Sequence, residues 1–381
     1  MKPVWEDATA LHVRAPGRVN LLGEHVDTNQ GVVLPAAIDR YVDLYARPIN
    51  EGMARITALD YRETVFFSLD ELDHKIDLEG QALPGWALYP AGVAHMLIKS
   101  GLVVQGIEAG FRSNIPIGAG LSSSAAIEIA FALLWQTLGG WDIPRLQLAQ
   151  LCQQAENEYA GVPCGLMDQF SSACGVDDHI LRFDTRSLDY HAVPFPAGYS
   201  MVIADSGLRR SLRATGYNNR LAECRQAIQL LQQEIPGITS LRDLSPADFY
   251  RLRRLLPPPF DRRVQHVVEE MMRVENAKTA LEEGDMAALG ELLNAGHASL
   301  RDLYEVSMPQ IDLLVQIAQN LPGCLGARLT GGGFGGCTIN LVQTEMVQTF
   351  RKVLVDLYNN QTGIATKVFA CRPSGGAKIV P

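Results

Sequence analysis

Between residues 115 and 130 the chain reads IPIGAGLSSSAAIEIA, in which Gly118, Gly120, Leu121 and three serines, Ser122, Ser123 and Ser124, lead into an apolar helical run. Glycines let the main chain turn tightly and let a ligand approach it closely. A helix starting here leaves its first N–H groups without partners, and its dipole adds partial positive charge. Such an end holds anions, with the serine hydroxyls as further donors or as ligands for magnesium. No G-x-x-x-x-G-K-[ST] occurs in the chain, so a lysine-bearing phosphate loop is excluded. A Gly-rich turn with a plain serine cap has the same composition.

Two further clusters carry polar chemistry. In APGRVNLLGEHVDTNQGVVLPAAI, residues 15–38, Arg18, Glu24, His25 and Asp27 fall within ten positions. Carboxylates accept from the hydroxyls of a neutral polyol, and arginine holds developing negative charge. A surface loop with ordinary ion pairs is the alternative, but the apolar runs VNLL and VVLPAAI argue for enclosure. In QQAENEYAGVPCGLMDQFSS, residues 153–172, Glu156 and Glu158 lie on opposite sides of an apolar stripe, so spacing does not choose between them as a metal ligand. Asp168 sits among apolar neighbours, where an unpaired carboxylate is costly. It pairs with a cation, works on a ligand, or caps the helix QFSSACG. A third stretch, LTGGGFGGCTINLV at 329–342, sets five glycines in eight residues between two strands. A loop over a phosphate and a tight interdomain turn both predict that composition.

These groups need elements to position them. The 381 residues suggest two or three domains. Short β-rich runs (LHVRAP, YVDLYARP, RITALD, TVFFSL, GIEAGFRSNIP) dominate the first portion, with helices near 87–100, 123–138 and 145–160. Along the last, Leu148, Cys152, Ala155 and Tyr159 share one face. Strands follow at ILRFDT, HAVPF and YSMVIADS. Helical stripes then cover Leu221 to Ile235, 261–283 and 285–303, with PPPF at 257–260 as a stiff break, before strands return at GARLT, CTINLV and TKVFAC. The expectation is an α+β chain with a boundary near 195, giving units 1–195 and 196–381. Lys plus Arg number 33 and Asp plus Glu 42, a net charge of −9, which argues against nucleic acid and anionic membrane as partners. Seven cysteines without a C-x-x-C pair fit reduced thiols in a cytoplasm. The longest apolar stretch, near 125–135, is interrupted by Glu128 and too short to span a bilayer. A soluble cytoplasmic monomer is expected.

The three clusters, in this order, resemble the motifs of the GHMP small-molecule kinases, and GRVNLLGEHVD resembles the signature of their galactokinase branch. The resemblance continues through CGLMDQF, GYNNRLAEC, HASLRDLYEVS and LTGGGFGGC. It implies a two-domain α+β architecture with the active site in the interdomain cleft, and ATP-dependent phosphorylation of galactose at its anomeric hydroxyl with magnesium. Carried over by position, Gly118 to Ser124 would cradle the triphosphate, and Ser123 with Glu156 would hold the magnesium. Asp168 would contact the reacting hydroxyl with Arg18 beside it, while Glu24, His25, Asp27 and Tyr217 would read the sugar. The chain departs at HVDT, where the family has HTDY, so Thr28 replaces a tyrosine beside Asp27. Another sugar, such as N-acetylgalactosamine, and a non-catalytic galactose and ATP sensor are the rival readings. The small residues Ser124-Ala125-Ala126, which such sensors lose, favour catalysis.

Overall fold

The computed structural model describes residues 3–116, 118–208 and 213–381. Its first half is built on β1 (Leu11–Asn20), β2 (Val32–Val33), β3 (Pro35–Pro48), β4 (Met53–Ala58) and β5 (Glu63–Ser68). Helix α1 (Leu88–Lys99) leads to β6 (Ile107–Ser113), followed by α2 (Ser123–Gly139), α3 (Arg145–Gln154) and α4 (Met167–Cys174). A short pair, β7 (His179–Asp184) and β8 (Tyr190–Pro194), joins β2 in a three-stranded sheet ordered β2-β7-β8. The alternating runs of the sequence thus form strands where period-2 patterning places them.

The second half contains β9 (Tyr199–Asp205), α5 (Arg213–Leu231), α6 (Pro246–Leu252), α7 (Phe260–Glu283), α8 (Met286–Asp302) and α9 (Pro309–Gln319). Then come β10 (Cys324–Thr330), β11 (Cys337–Gln343), α10 (Val347–Thr362), β12 (Lys367–Cys371) and β13 (Lys378–Val380). One sheet has the order β10-β11-β9-β12 and pairs antiparallel throughout. The large sheet has the order β13-β1-β3-β6-β4-β5, with only β4 and β6 parallel. The expected boundary at 195 falls in the link between β8 and β9. The chain then crosses back at its end, where Ile379 pairs with Val13 of β1.

The expected helix over 145–160 divides. α3 stops at Gln154 and continues as a π turn, Ala155–Ala160. A π turn carries more residues per turn than the 3.6 that a helical stripe assumes. The stripe Leu148, Cys152, Ala155 and Tyr159 is nonetheless buried as the spacing implies, and the π turn buries Glu156 beside it. Helix α2 is buried almost all round, from Ala125 to Trp135, and packs into the main core with β1, β3 and β6. Its neighbour α4 buries Met167 and every residue from Gln169 to Cys174. Two deeply buried helices thus hold the serine loop and Asp168 in fixed relation.

Candidate active site

The first site residue stands on an irregular strand. The β1–β3 register shifts between Pro16 and Arg18, and such a bulge re-aims the next side chain. The Arg18 N–H donates to the Leu121 carbonyl (3.1 Å). Its Nη1 donates to the Gly120 carbonyl (2.7 Å), while Nε and Nη2 reach Asp168 Oδ1 at 2.8 and 2.6 Å. Ser122 Oγ donates to the other oxygen, Asp168 Oδ2, at 2.5 Å. Arg18 leaves 6% of its side chain exposed and Asp168 26%. A ligand therefore meets the aspartate, with the arginine behind it.

Both structural alternatives from the sequence fail on this geometry. The cap position of α4 is Leu166, with Asp168 inside the first turn, so the aspartate is not a cap. Ser122 precedes α2 in the left-handed region (φ 58°) and makes no side-chain cap bond. Its hydroxyl is committed to Asp168, and the first turn of α2 keeps its dipole end for an anion. The third motif arrives from the opposite side. Gly331 takes φ +83°, and a Cβ there would stand 3.0 Å from the Gly120 carbonyl. A side chain at 331 would push the two loops apart.

The sugar-signature residues lie one turn away. Asp27 opens a short 3-10 turn, and its Oδ1 accepts from the Thr28 N–H (2.9 Å). A Cβ on Gly165 would fall 1.9 Å from Asp27 Oδ2, so the VPCG turn passes over this carboxylate only as glycine. Burial, then the charge of Asp168, pushes Asp27 up to about 6. Thr28, where the family has tyrosine, turns its hydroxyl back to the His25 carbonyl (3.4 Å). His25 itself sits at φ 64°, with its ring 5.4 Å from that of Tyr217 and 4.7 Å from that of Tyr304. Burial, then the neighbouring His266 and Arg220, lowers His25 to about 3, so the ring is neutral. Neither ring nitrogen has a hydrogen-bond partner among the described residues.

Glu24, expected at the sugar, is engaged elsewhere. One oxygen pairs with the fully buried Arg328, and the other accepts from the Gly331 N–H (3.3 Å). Burial pushes it up to about 7 against the pull of Arg328. Arg328 also reaches Glu270 (2.9 Å), which accepts in turn from the Gly23 N–H (2.9 Å). Glu24 thereby ties the sugar signature to the Gly-rich third motif. Nothing in the sequence marks Arg328 or Glu270 as its companions, because they arrive from β10 and α7.

The two glutamates of the π turn have different surroundings. Glu158 is exposed and pairs with Lys99 (3.3 Å), whereas Glu156 is 5% exposed. Glu156 Oε2 accepts from Gln169 Nε2 (2.6 Å) and Cys164 Sγ (3.5 Å), and the Ser124 side chain acts on the same carboxyl to lower it against burial. Burial, then the charge of Asp168, pushes Glu156 up to about 7. Among the described residues no group of three His, Cys, Asp or Glu side chains forms a ready metal cage. Magnesium takes one or two carboxylates and completes its shell with phosphate oxygens and water. A serine hydroxyl and a carboxylate under repulsion from a second carboxylate are a fitting donor set for it.

Comparisons with known proteins agree with this geometry. The GHMP kinase N-terminal domain model matches residues 89–176 and the GHMP kinase C-terminal model residues 277–352, so the class is that of the GHMP kinases. The galactokinase galactose-binding signature matches residues 6–48. A galactokinase of Roseiflexus sp. (strain RS-1) is 45% identical over 364 residues, covering 96% of this chain and 91% of the relative. A galactokinase of Chloroflexus aurantiacus is 40% identical over 367 residues, covering 96% and 93%. The chain belongs to the galactokinase family. The crystal structure of Lactococcus lactis galactokinase complexed with galactose superposes with a TM-score of 0.93 at 34% identity, over 98% of this chain and 96% of that one. A mevalonate kinase of Methanococcus jannaschii, at 19% identity and a TM-score of 0.65, shares the fold. Among the described residues no helix is long and apolar enough to cross a membrane.

Proposed function

We propose that the chain transfers the γ-phosphoryl group of ATP to the anomeric hydroxyl of galactose, with Asp168, Arg18 and Ser122 as the unit that handles the reacting oxygen. One observation carries this: a partly open carboxylate, held on both oxygens, stands where the serine loop, the sugar signature and the VPCG turn converge. Loose phosphoryl-transfer transition states depend on positioning and charge neutralisation more than on a strong base. Asp168 orients the hydroxyl and takes its proton late, since a carboxylate has lone pairs beyond those used by Arg18 and Ser122. Arg18 holds the aspartate in place and adds positive charge at the reacting centre.

Gly118, Gly120, Leu121, Ser122, Ser123 and Ser124 would cradle the phosphates, at the first turn of α2. Glu156, with the Ser124 hydroxyl and Ser123 beside it, would hold magnesium, which when bound neutralises phosphate charge. Asp27 accepts sugar hydroxyls, the neutral His25 ring offers one donor and one acceptor, and Tyr217 walls the pocket. Glu24 acts behind them through Arg328 and Gly331. Units 1–195 and 196–381 would close on the two substrates. Cys152, Cys164, Cys174, Cys224, Cys324 and Cys371 carry free thiols, in keeping with a reducing cytoplasm. The monomeric state is checked by sedimentation.

ADP release measured with galactose, glucose and N-acetylgalactosamine tests the substrate. Glucose differs from galactose only at C4, and a site that hydrogen-bonds that hydroxyl rejects the epimer by leaving a buried polar group unpaired. Catalytic efficiency on glucose is expected at least ~10²-fold lower. Preference for the N-acetylated sugar would overturn the galactose assignment. A folded protein that binds both substrates without releasing ADP would be a sensor.

A further inference from the structure

Glu128 is the one charged residue in the apolar helix α2 between Ala125 and Trp135, and phosphate binding leaves it unused. It is 0% exposed. Its Oε2 accepts from Gln169 Nε2 at 2.9 Å, and the same nitrogen donates to Glu156 Oε2 at 2.6 Å. We propose that Glu128 and Gln169 are positioning residues that orient the Glu156 carboxylate toward a divalent cation at the serine loop. The inference rests on the proposed role of Glu156 as a magnesium ligand.

An amide NH2 has two hydrogens, and here each meets a carboxylate. Turning the amide over would set its carbonyl against two carboxylates, so Glu128 fixes which way Gln169 points. Gln169 and the Cys164 thiol both hold Oε2 of Glu156. The carboxylate is thereby clamped from behind through one oxygen, and Oε1 is left for a cation. The clamp shares its helix with the reacting group, since Gln169 follows Asp168 in α4 and is itself 0% exposed. A leucine at 128 would suit the packing of α2 better, because a buried carboxylate without full pairing is destabilising. Burial, then the charge of Glu156, pushes Glu128 well above the usual carboxylate range. What it contributes is an acceptor in a fixed place. Groups that orient metal ligands in this way typically change metal affinity by 10–100-fold when removed.

The test is binding of Mn2+ to the ADP complex, read from the free-ion EPR signal, in wild type and four variants. Gln169→Leu and Glu128→Leu are expected to weaken Mn2+ by roughly 10–100-fold. Glu128→Gln keeps an acceptor for Gln169 and is expected to stay near wild type, which separates a hydrogen-bonding role from a charge role. Glu156→Gln should lose most of the affinity. In activity assays the KM for magnesium should rise with the KM for galactose unchanged. Should Gln169→Leu fail to fold, Gln169→Asn, whose shorter amide cannot span both carboxylates, replaces it with the same expected loss. Wild-type Mn2+ affinity in both leucine variants, alongside a loss in Glu156→Gln, overturns this inference and leaves the magnesium reading standing. Wild-type affinity in Glu156→Gln overturns both.

Discussion

In the proposed reaction Asp168 and Arg18 act on one oxygen, and their substitutions should behave accordingly. Asp168→Asn keeps the shape and removes charge and proton acceptance, so kcat should fall by ~10²–10⁴. Arg18→Ala should also lower kcat, and the double variant should be no worse than the more damaging single one, since both groups serve the same transition state. Asp27 carries a different signature. Its carboxyl is raised to about 6, so galactose affinity measured without nucleotide should fall as pH drops through that value. Asp27→Asn should bind weakly with a flat pH profile. The same shift has a stability side. With a folded pKa above the unfolded one, the folded protein binds the extra proton between pH ~4 and ~6, and stability falls as pH rises through that window. Removing the charge should therefore stabilise the ligand-free protein at pH 7.5 by roughly 1–3 kcal/mol, and by less at pH 5. An Asp27→Asn variant with unchanged or lower stability at pH 7.5 would contradict this. His25, lowered to about 3, should contribute no titration between pH 5 and 8.

At the scale of elements, a buried ion network joins the sugar signature to the third motif. Arg328 bridges Glu24 and Glu270, Arg273 pairs with Glu270 at 2.7 Å and reaches Ser299, and His266 lies between Ser299 and the Glu24 carbonyl. Removing one partner leaves a buried charge uncompensated, so Arg328→Met should destabilise by about 3–5 kcal/mol in urea unfolding. A loss under 1 kcal/mol would show that the network is dispensable. This network also marks where sequence reading stopped. The pattern of GEHVD announced buried carboxylates, but the partner of Glu24 lies 304 residues away, and no local spacing encodes such a pair. Strand alternation and helical stripes located β1, β3 to β6 and α7 to α8 because those signals are local. The three-residue β13 carries no alternation of its own and exists through its pairing with β1. Spacing left Glu156 and Glu158 open, the resemblance named Glu156, and in the structure Glu156 is buried while Glu158 pairs with Lys99 at the surface. Asp168 and Arg18 were legible through their motifs, while Ser122 as their companion depended on its left-handed backbone.

On the scale of the whole molecule, the fold brings together three motifs that the chain keeps far apart. α2 and α4 hold the phosphate loop and Asp168, β10 delivers Gly331 against Gly120, and β13 returns the end of the chain to the first sheet. With a net charge of −9 the overall field does not favour a nucleotide, so the proposed phosphate site depends on the local helix end. The central claim is that this convergence transfers phosphate to galactose at C1 through Asp168. It is tested most directly by 31P NMR of a reaction containing ATP, magnesium and galactose, run with wild type and with Asp168→Asn. The account predicts a phosphate monoester coupled to the anomeric proton, formed ~10²–10⁴-fold more slowly by the variant. A monoester at any other hydroxyl, or equal rates for the two proteins, would contradict it.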